Sequence, residues 1–365
     1  MNKSTMMRKQ ILLVALLAGL IATICYACSK GGGSSDPQPD NGFDKAAMLT
    51  NYADNLVIPG YTAMQSKVQD LDADIGTFLA TPTDAGLQSA KAALKEAYLQ
   101  FERIAVNQYG PAETYLLVNF LNTFPADTTK INANIQSGSY DFTSAGTVDQ
   151  QGLSALDYLL AETGALQQFT GGNAAARKKY TQDIVARIKS LVDKTLADWK
   201  NTYRAQFVSN TRTDVGSPIG YLVNQFAYEM DQLKGPRIGW PFGKQSGGTV
   251  FADKCEAYYS GISKALAIEN LSSLRKSYTG GDGKGIDDYL VSLKKEQLNA
   301  DVLKQFDVTL AKLNAIPDPL SAAFTANKDL VDAAYKEVQL LLTLIKTDVA
   351  SATGVRITYQ DSDGD

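Results

Sequence analysis

A chain of 365 residues without a single histidine must do any chemistry with carboxylates, guanidinium groups, hydroxyls and thiols. That absence removes Ser-His-Asp and Cys-His nucleophiles, HExxH zinc proteases and histidine-ligated metal or haem. The stretch densest in usable side chains is Lys234-Gly235-Pro236-Arg237-Ile238-Gly239-Trp240-Pro241-Phe242-Gly243-Lys244. Arg237 offers a planar fork to a carboxylate or phosphate, and Lys244 adds a second cation beside Trp240 and Phe242. The stretch reads as a loop stiffened by two prolines that clamps an anion. The competing reading has the two aromatic rings plugging a bundle while the cations stay solvated. Cys255 has no partner for a disulfide and reads as a core residue. Three other patterns carry no chemistry. Asp361-Ser362-Asp363-Gly364-Asp365 starts like a calcium loop but supplies five of the twelve positions needed. Gly280-Gly281-Asp282-Gly283-Lys284-Gly285 lacks the phosphate-loop spacing. The 18 tyrosines suggest sugar stacking, yet many fall at helical core spacing and read as packing residues.

The elements that must position these residues are helical. Leu87, Ala90, Leu94, Ala97, Phe101 and Ile104 recur at three- and four-residue steps, the mark of one buried stripe. Ile184, Ile188, Leu191, Thr195, Trp199 and Tyr203 line a second helix, and Leu330, Ala334, Val338, Leu341, Ile345 and Val349 a third. Strand-like alternation is nearly absent. Helices are predicted to stop or bend at Pro59-Gly60, Thr81-Pro82, Gly110-Pro111, Gly171-Gly172, Gly235-Pro236, Gly280-Gly281 and Pro317-Asp318-Pro319. The resulting lengths suit antiparallel bundles, and Gly171-Gly172 is the expected boundary between helical domains at 43–170 and 171–365. With 44% apolar and 20% charged residues there is material for sizeable cores, and disorder is excluded away from the ends. A net charge of −4 without a Lys/Arg run after the first residues argues against nucleic acid as a partner.

Residues 1–27 read as a secretion signal, with Lys3, Arg8 and Lys9 as the basic head and an uncharged run at 11–24 too short for a comfortable membrane span. The run ends in Cys25-Tyr26-Ala27-Cys28, followed by a Gly/Ser stretch, as at a bacterial lipoprotein cleavage site. Cys28 is the expected lipidated residue. Cys25 is the poorer candidate behind bulky Ile24, and it stands at minus three, where leucine is usual. Residues 28–42 would form a flexible tether between the membrane lipid and the fold. The expected location is the bacterial cell envelope, at the outer membrane facing the periplasm or the cell surface.

Several segments occur in a telling order: Asn51-Tyr52-Ala53-Asp54-Asn55-Leu56-Val57-Ile58-Pro59-Gly60-Tyr61, Phe101-Glu102 through Tyr109-Gly110-Pro111, Gln151-Gly152-Leu153-Ser154-Ala155-Leu156-Asp157, Lys254-Cys255-Glu256-Ala257-Tyr258-Tyr259-Ser260, Ile316-Pro317-Asp318-Pro319 and Asp363-Gly364-Asp365. Together they resemble the imelysin-like family of secreted or lipid-anchored bacterial proteins, first described as peptidases and later linked to iron uptake. The resemblance implies an all-α fold of two helical-bundle domains, a site at or near their interface, and a role in iron or haem acquisition with uptake proteins as partners. The family's GxHxxE signature falls on Gly152-Leu153-Ser154-Ala155-Leu156-Asp157.

In that signature a histidine and a carboxylate three residues apart share one helical face and can ligate a metal or pair a base with an acid. Here the pair is Ser154 and Asp157: serine is a poor ligand, and aspartate reaches one methylene less than glutamate. The bland alternative is that Asp149 caps the helix while Ser154 and Asp157 bond locally or face solvent. A second family glutamate aligns with Ala105. Glu102 and Glu256 remain as pocket carboxylates or as ordinary interhelix hydrogen-bonding residues. The expected ligand-binding set is Glu102, Ser154, Asp157, Arg237, Glu256 and Ser260, with no catalytic residue assigned and with iron or another divalent metal as the ligand the resemblance allows. The expected function is a non-catalytic, lipid-anchored binding protein. Its rivals are a peptidase using paired carboxylates from Glu102, Asp157 or Glu256 and an envelope scaffold.

Overall fold

The computed structural model describes residues 42–359; the secretion signal, Cys28 and Asp363-Gly364-Asp365 lie outside the described residues. Within them every regular element is helical. The helices that position the site are α1 (Ile58–Ala80), α2 (Asp84–Ile104), α3 (Gly152–Ala161), α4 (Ala174–Asp198), α5 (Pro218–Gln232), α6 (Ser263–Tyr278), α7 (Glu296–Asn314) and α8 (Lys328–Thr343).

The turn at Thr81-Pro82-Thr83 ends α1, and the Thr83 hydroxyl then caps α2 by accepting from the Gly86 N–H at 3.1 Å. The whole stripe from Leu87 to Ile104 is buried, as its spacing predicts, and so are Ile184, Ile188, Leu191, Thr195 and Trp199. The third stripe starts one residue later than expected. Leu330 is 39% exposed and Val331 fully buried, because a step of three back from Ala334 stays on the inner face where a step of four drifts off it.

Helices α1 and α2 pack on each other, and α4 lies along α1 and against α3. The boundary expected after residue 170 therefore does not fall at a break in packing: α4, which follows Gly171-Gly172, completes the core of the first half. The described residues, 42–359, hold together as one compact unit. On the far side of α2 sits α6, which packs in turn on α7, while α8 packs against α7 and α5.

Two of the expected breaks are continuous helix. The helix Lys45–Asn51 runs through a π-helical turn, Tyr52–Val57, directly into α1, with Pro59 in the first turn of α1. Pro236 lies inside a second π-helical turn, Leu233–Gly239, that extends α5 into the short helix Trp240–Phe242. A wider turn tolerates a residue without an N–H, which a regular α-helical interior does not. The stretch read as a clamp loop is thus a helical extension, and its first half points inward: Arg237 is buried, whereas Lys244 is partly exposed and paired with Asp332.

Candidate functional site

Arg237 is the hub. Its guanidinium donates from Nε to Glu256 Oε2 at 3.0 Å, from Nη1 to Glu229 Oε2 at 3.3 Å and from Nη2 to Glu102 Oε2 at 3.1 Å. Each carboxylate comes from a different element: Glu102 from α2, Glu229 from α5, and Glu256 from the loop that follows the short turn Ala252–Lys254. Asn270 on α6 donates to Glu102 at 2.8 Å and to Glu229 at 3.2 Å, and Asn122 donates to Glu256. None of these carboxylates is more than 2% exposed. The cluster therefore ties α2, α5, α6 and the 255–261 loop together in one buried knot.

Its charge does not balance. Three carboxylates surround one guanidinium, and burial strongly disfavours the surplus negative charge. Burial accordingly pushes Glu102 well above the ordinary glutamate range, assisted by the neighbouring Glu256 to which it is hydrogen-bonded and opposed by Arg237. Glu229 is raised by the same burial. Burial alone would lower the Arg237 pKa, but Glu102, Glu256 and Glu229 keep it fully protonated. Both shifts favour the protonated carboxyl at Glu102 and Glu229 over the ionised one.

Ser154 and Asp157 sit beside this knot and not in it. Both are buried, so they neither face solvent nor bond only within their own helix. Asp157 accepts from the backbone N–H groups of Tyr259 at 2.9 Å and Ser260 at 3.1 Å. Burial pushes its carboxyl up to about 6, against the pull of those hydrogen bonds. Ser260 thus meets Asp157 through its N–H, and its hydroxyl also favours the ionised carboxyl. Ser154 is met by the Tyr98 hydroxyl at 3.4 Å, and that phenol feels the charges of Asp157, Glu256 and Glu102. Tyr98 links the two groups. Asp149 does not cap α3; it accepts from Lys130 and Gln150 instead. A cavity of about 90 Å³ is lined by Ser154, Asp157, Cys255 and Tyr258 among others. Cys255 is a buried free thiol, pushed up by burial to about 11, and donates to the Ala252 carbonyl.

A divalent metal does not fit this arrangement. Among the described residues no group of three acidic or cysteine side chains converges to hold an ion, and the three glutamates are already turned toward a guanidinium that fills the space between them.

The family model described as imelysin, a peptidase family, matches residues 57–345. The chain belongs to the imelysin family. An iron-regulated protein A from Synechococcus elongatus is 21% identical over 292 residues, covering 75% of this chain and 78% of that one. A Parabacteroides distasonis structure assigned as an iron-regulated protein A precursor superimposes with a TM-score of 0.73 at 17% identity, covering 89% of this chain and 97% of its own. An imelysin-like protein from Psychrobacter arcticum gives 0.68 at 16% identity, covering 89% and 99%. These two likenesses establish the all-α imelysin-like fold.

Within the imelysin family's signature, this chain keeps the first glycine for a structural reason. Gly152 has φ +80°, and a Cβ there would lie 2.4 Å from the Leu121 carbonyl oxygen. Gly152→Ala is expected to cost about 2 kcal/mol through the strained backbone conformation, read as a lowered urea midpoint, because α3 must shift away from the Leu117–Asn122 helix; an unchanged midpoint would show that α3 is not seated there. Of the expected residues, the structure gathers Glu102, Arg237 and Glu256 into one cluster, places Ser154 and Asp157 on the wall of the adjoining cavity and bonds the Ser260 N–H to Asp157. Glu229, Asn270, Asn122 and Tyr98 were not anticipated. Glu229 was the one legible in principle. Eight residues before Arg237, it is slightly more than two α-turns away, and the wider π turn takes up the excess.

Proposed function

We propose that this chain is a lipid-anchored protein of the bacterial envelope that serves iron or haem uptake by binding, and that it does not hydrolyse peptides. The observation that carries this reading is the placement of Arg237 among Glu102, Glu229 and Glu256. It engages the carboxylates that a metal or an activated water would need, in a chain that has no imidazole to replace them. The iron-regulated names of its relatives supply the physiological setting. Among the described residues no helix is long and apolar enough to cross a membrane; attachment in this reading rests on lipid at Cys28. Partners would be other iron or haem uptake proteins of the envelope.

A second reading is favoured by one observation: Asp157, raised to about 6 beside a cavity, is poised as an acid or base near neutral pH. It would make the chain a carboxylate peptidase.

The test compares a strain lacking this protein with one complemented by the full chain or by Cys28→Ser, all under iron limitation with haem as the iron source. Slow growth rescued by the full chain and not by Cys28→Ser is expected, along with no turnover of a fluorogenic peptide library by the purified protein. Equal growth of all strains would sink the uptake role. Turnover that persists through repurification and disappears in Asp157→Asn would establish the peptidase instead.

A further inference from the structure

A larger cavity, of about 460 Å³, opens where α3 ends and α4 begins, beside the helix Thr128–Ser137. It shares no residue with the charged knot or with the cavity beside Asp157. Its volume falls within the roughly 300–1,000 Å³ of small-molecule sites. The lining is polar: Arg177, Glu162, Tyr158 and four amide side chains surround it, with Ile135 as the one aliphatic residue.

Arg177 stands one turn into α4 and is 4% exposed. Its guanidinium is held firmly. Nη2 donates to the Leu159 carbonyl at 2.8 Å and to Glu162, and Cζ lies 5.0 Å from the ring centre of Phe169 and 5.8 Å from that of Tyr158. Tyr158 is fixed in turn by Asn132, which donates to its hydroxyl at 2.7 Å. Contacts of this kind set the direction in which the remaining donors point. Nε is sealed off without a partner and is out of a ligand's reach. Nη1 differs from it: it too makes no hydrogen bond among the described residues, yet it is not sealed. The little surface that Arg177 retains therefore includes Nη1, and the cavity is what Arg177 lines. Glu162 accepts from Arg177 through Oε1, and its side chain is 19% exposed, which leaves Oε2 open to the cavity beside the Tyr158 hydroxyl.

One ion pair thus presents an unused guanidinium nitrogen and an unused carboxylate oxygen to the same space. A simple anion would be repelled by Glu162 and a simple cation by Arg177. A ligand that carries both charges satisfies both groups, and because the two protein groups touch, its charges must be adjacent as well. The start of α4 favours a carboxylate on the Arg177 side: Asn173, on the cavity wall, precedes the helix without capping it, and the first turn holds no acidic residue.

We infer that this cavity binds a free α-amino acid, its carboxylate on Arg177 Nη1 and its ammonium on Glu162. In a peptide the two charged ends stand further apart and cannot meet one ion pair together. The amides of Gln136 and Gln168 offer donors and acceptors to a polar side chain.

Isothermal titration calorimetry of the purified full chain tests this with glycine, L-serine, L-glutamine and L-phenylalanine. The N-acetyl and amide derivatives of each, which lack one of the two charges, and inorganic phosphate serve as comparisons. Saturable binding of at least one amino acid is the expected result, weakened tenfold or more by either derivatisation and tenfold or more in Glu162→Gln and Arg177→Lys. Circular dichroism checks that the variants fold; if Arg177→Lys does not, Glu162→Gln at a partly exposed position and the derivatives carry the test. No binding of any amino acid, an N-acetyl derivative or phosphate bound as tightly as the amino acid, an amide derivative bound as tightly, or undiminished affinity in folded Glu162→Gln would overturn the inference.

Discussion

Replacing Arg237 by methionine is expected to remove about 3–5 kcal/mol of folding stability at pH 8, the usual cost of leaving buried charge without its partner. Methionine keeps an unbranched stem in the same space, so the loss isolates the charge more than the packing. Glu102 and Glu229 have almost no access to water, are already pushed up by burial, and without the guanidinium would remain buried only by taking up protons. The native state would then bind more protons than the unfolded chain well above the ordinary glutamate range. Stability therefore falls as pH rises, and the deficit should be largest at pH 8 and should shrink toward pH 4–5. Urea unfolding at pH 5 and pH 8 measures it. Glu102→Gln is the informative companion: glutamine imitates the protonated carboxyl that burial already favours, so its cost should stay near or below the value of one ordinary hydrogen bond, about 1 kcal/mol. If Glu102→Gln costs as much as Arg237→Met, Glu102 is ionised in the native cluster. If Arg237→Met costs under about 1 kcal/mol at pH 8, the cluster is far better solvated than its burial implies.

That cluster also shows how far residues and their spacing could be read without coordinates. Amphipathic stripes on α2 and α4 were legible because burial follows the 3.6-residue period closely. The stop at Thr81-Pro82-Thr83 was legible because a threonine cap and a proline act within a few residues. Pro236 was misleading for a physical reason: a proline forbids a regular α-helical interior, but a π turn absorbs it, and nothing local announces which will occur. Once that stretch is a helix and not a loop, Arg237 and Glu229 become neighbours on one face and the cations of the stretch separate, Arg237 inward and Lys244 outward to Asp332. The sequence separation of 168 between Glu102 and Asn270 is bridged only by the packing of α2 on α6, which no periodicity in either helix specifies. The role of Asp157 was hidden likewise, because its partners include the backbone N–H groups at 259 and 260, which any residue type but proline could supply. The missing histidine, by contrast, was visible at once and set the chemistry available to the whole molecule.

Asp157 should make the pH dependence of stability diagnostic. Its carboxyl is raised to about 6 from an ordinary 3.8, so between those values the native state holds a proton that the unfolded chain has released. The associated stability is fully present below about pH 4 and is lost as pH rises through 6, amounting to about 3 kcal/mol for a shift of this size. Asp157→Asn abolishes the titration. The amide oxygen can still accept from one of the N–H groups of Tyr259 and Ser260, and losing the other costs about 1 kcal/mol. The curves should therefore cross near pH 4.5, with the variant less stable than the parent at about pH 3.5 and more stable, by about 1–2 kcal/mol, at pH 7.5. The raised carboxyls of Glu102 and Glu229 tilt both curves alike and largely cancel in the difference, whereas the attraction of Lys91 is already contained in the value for Asp157. Chemical unfolding across pH 3.5–8 reads the crossing directly. Parallel curves would mean that Asp157 titrates as it does in the unfolded chain; the group would then be useless as a neutral-pH acid or base, and the carboxylate-peptidase reading would lose the one observation that favours it. Crossing curves would show instead that an ionised Asp157 is held at neutral pH at a net cost, and that its hold on residues 259 and 260 is what the fold retains in exchange.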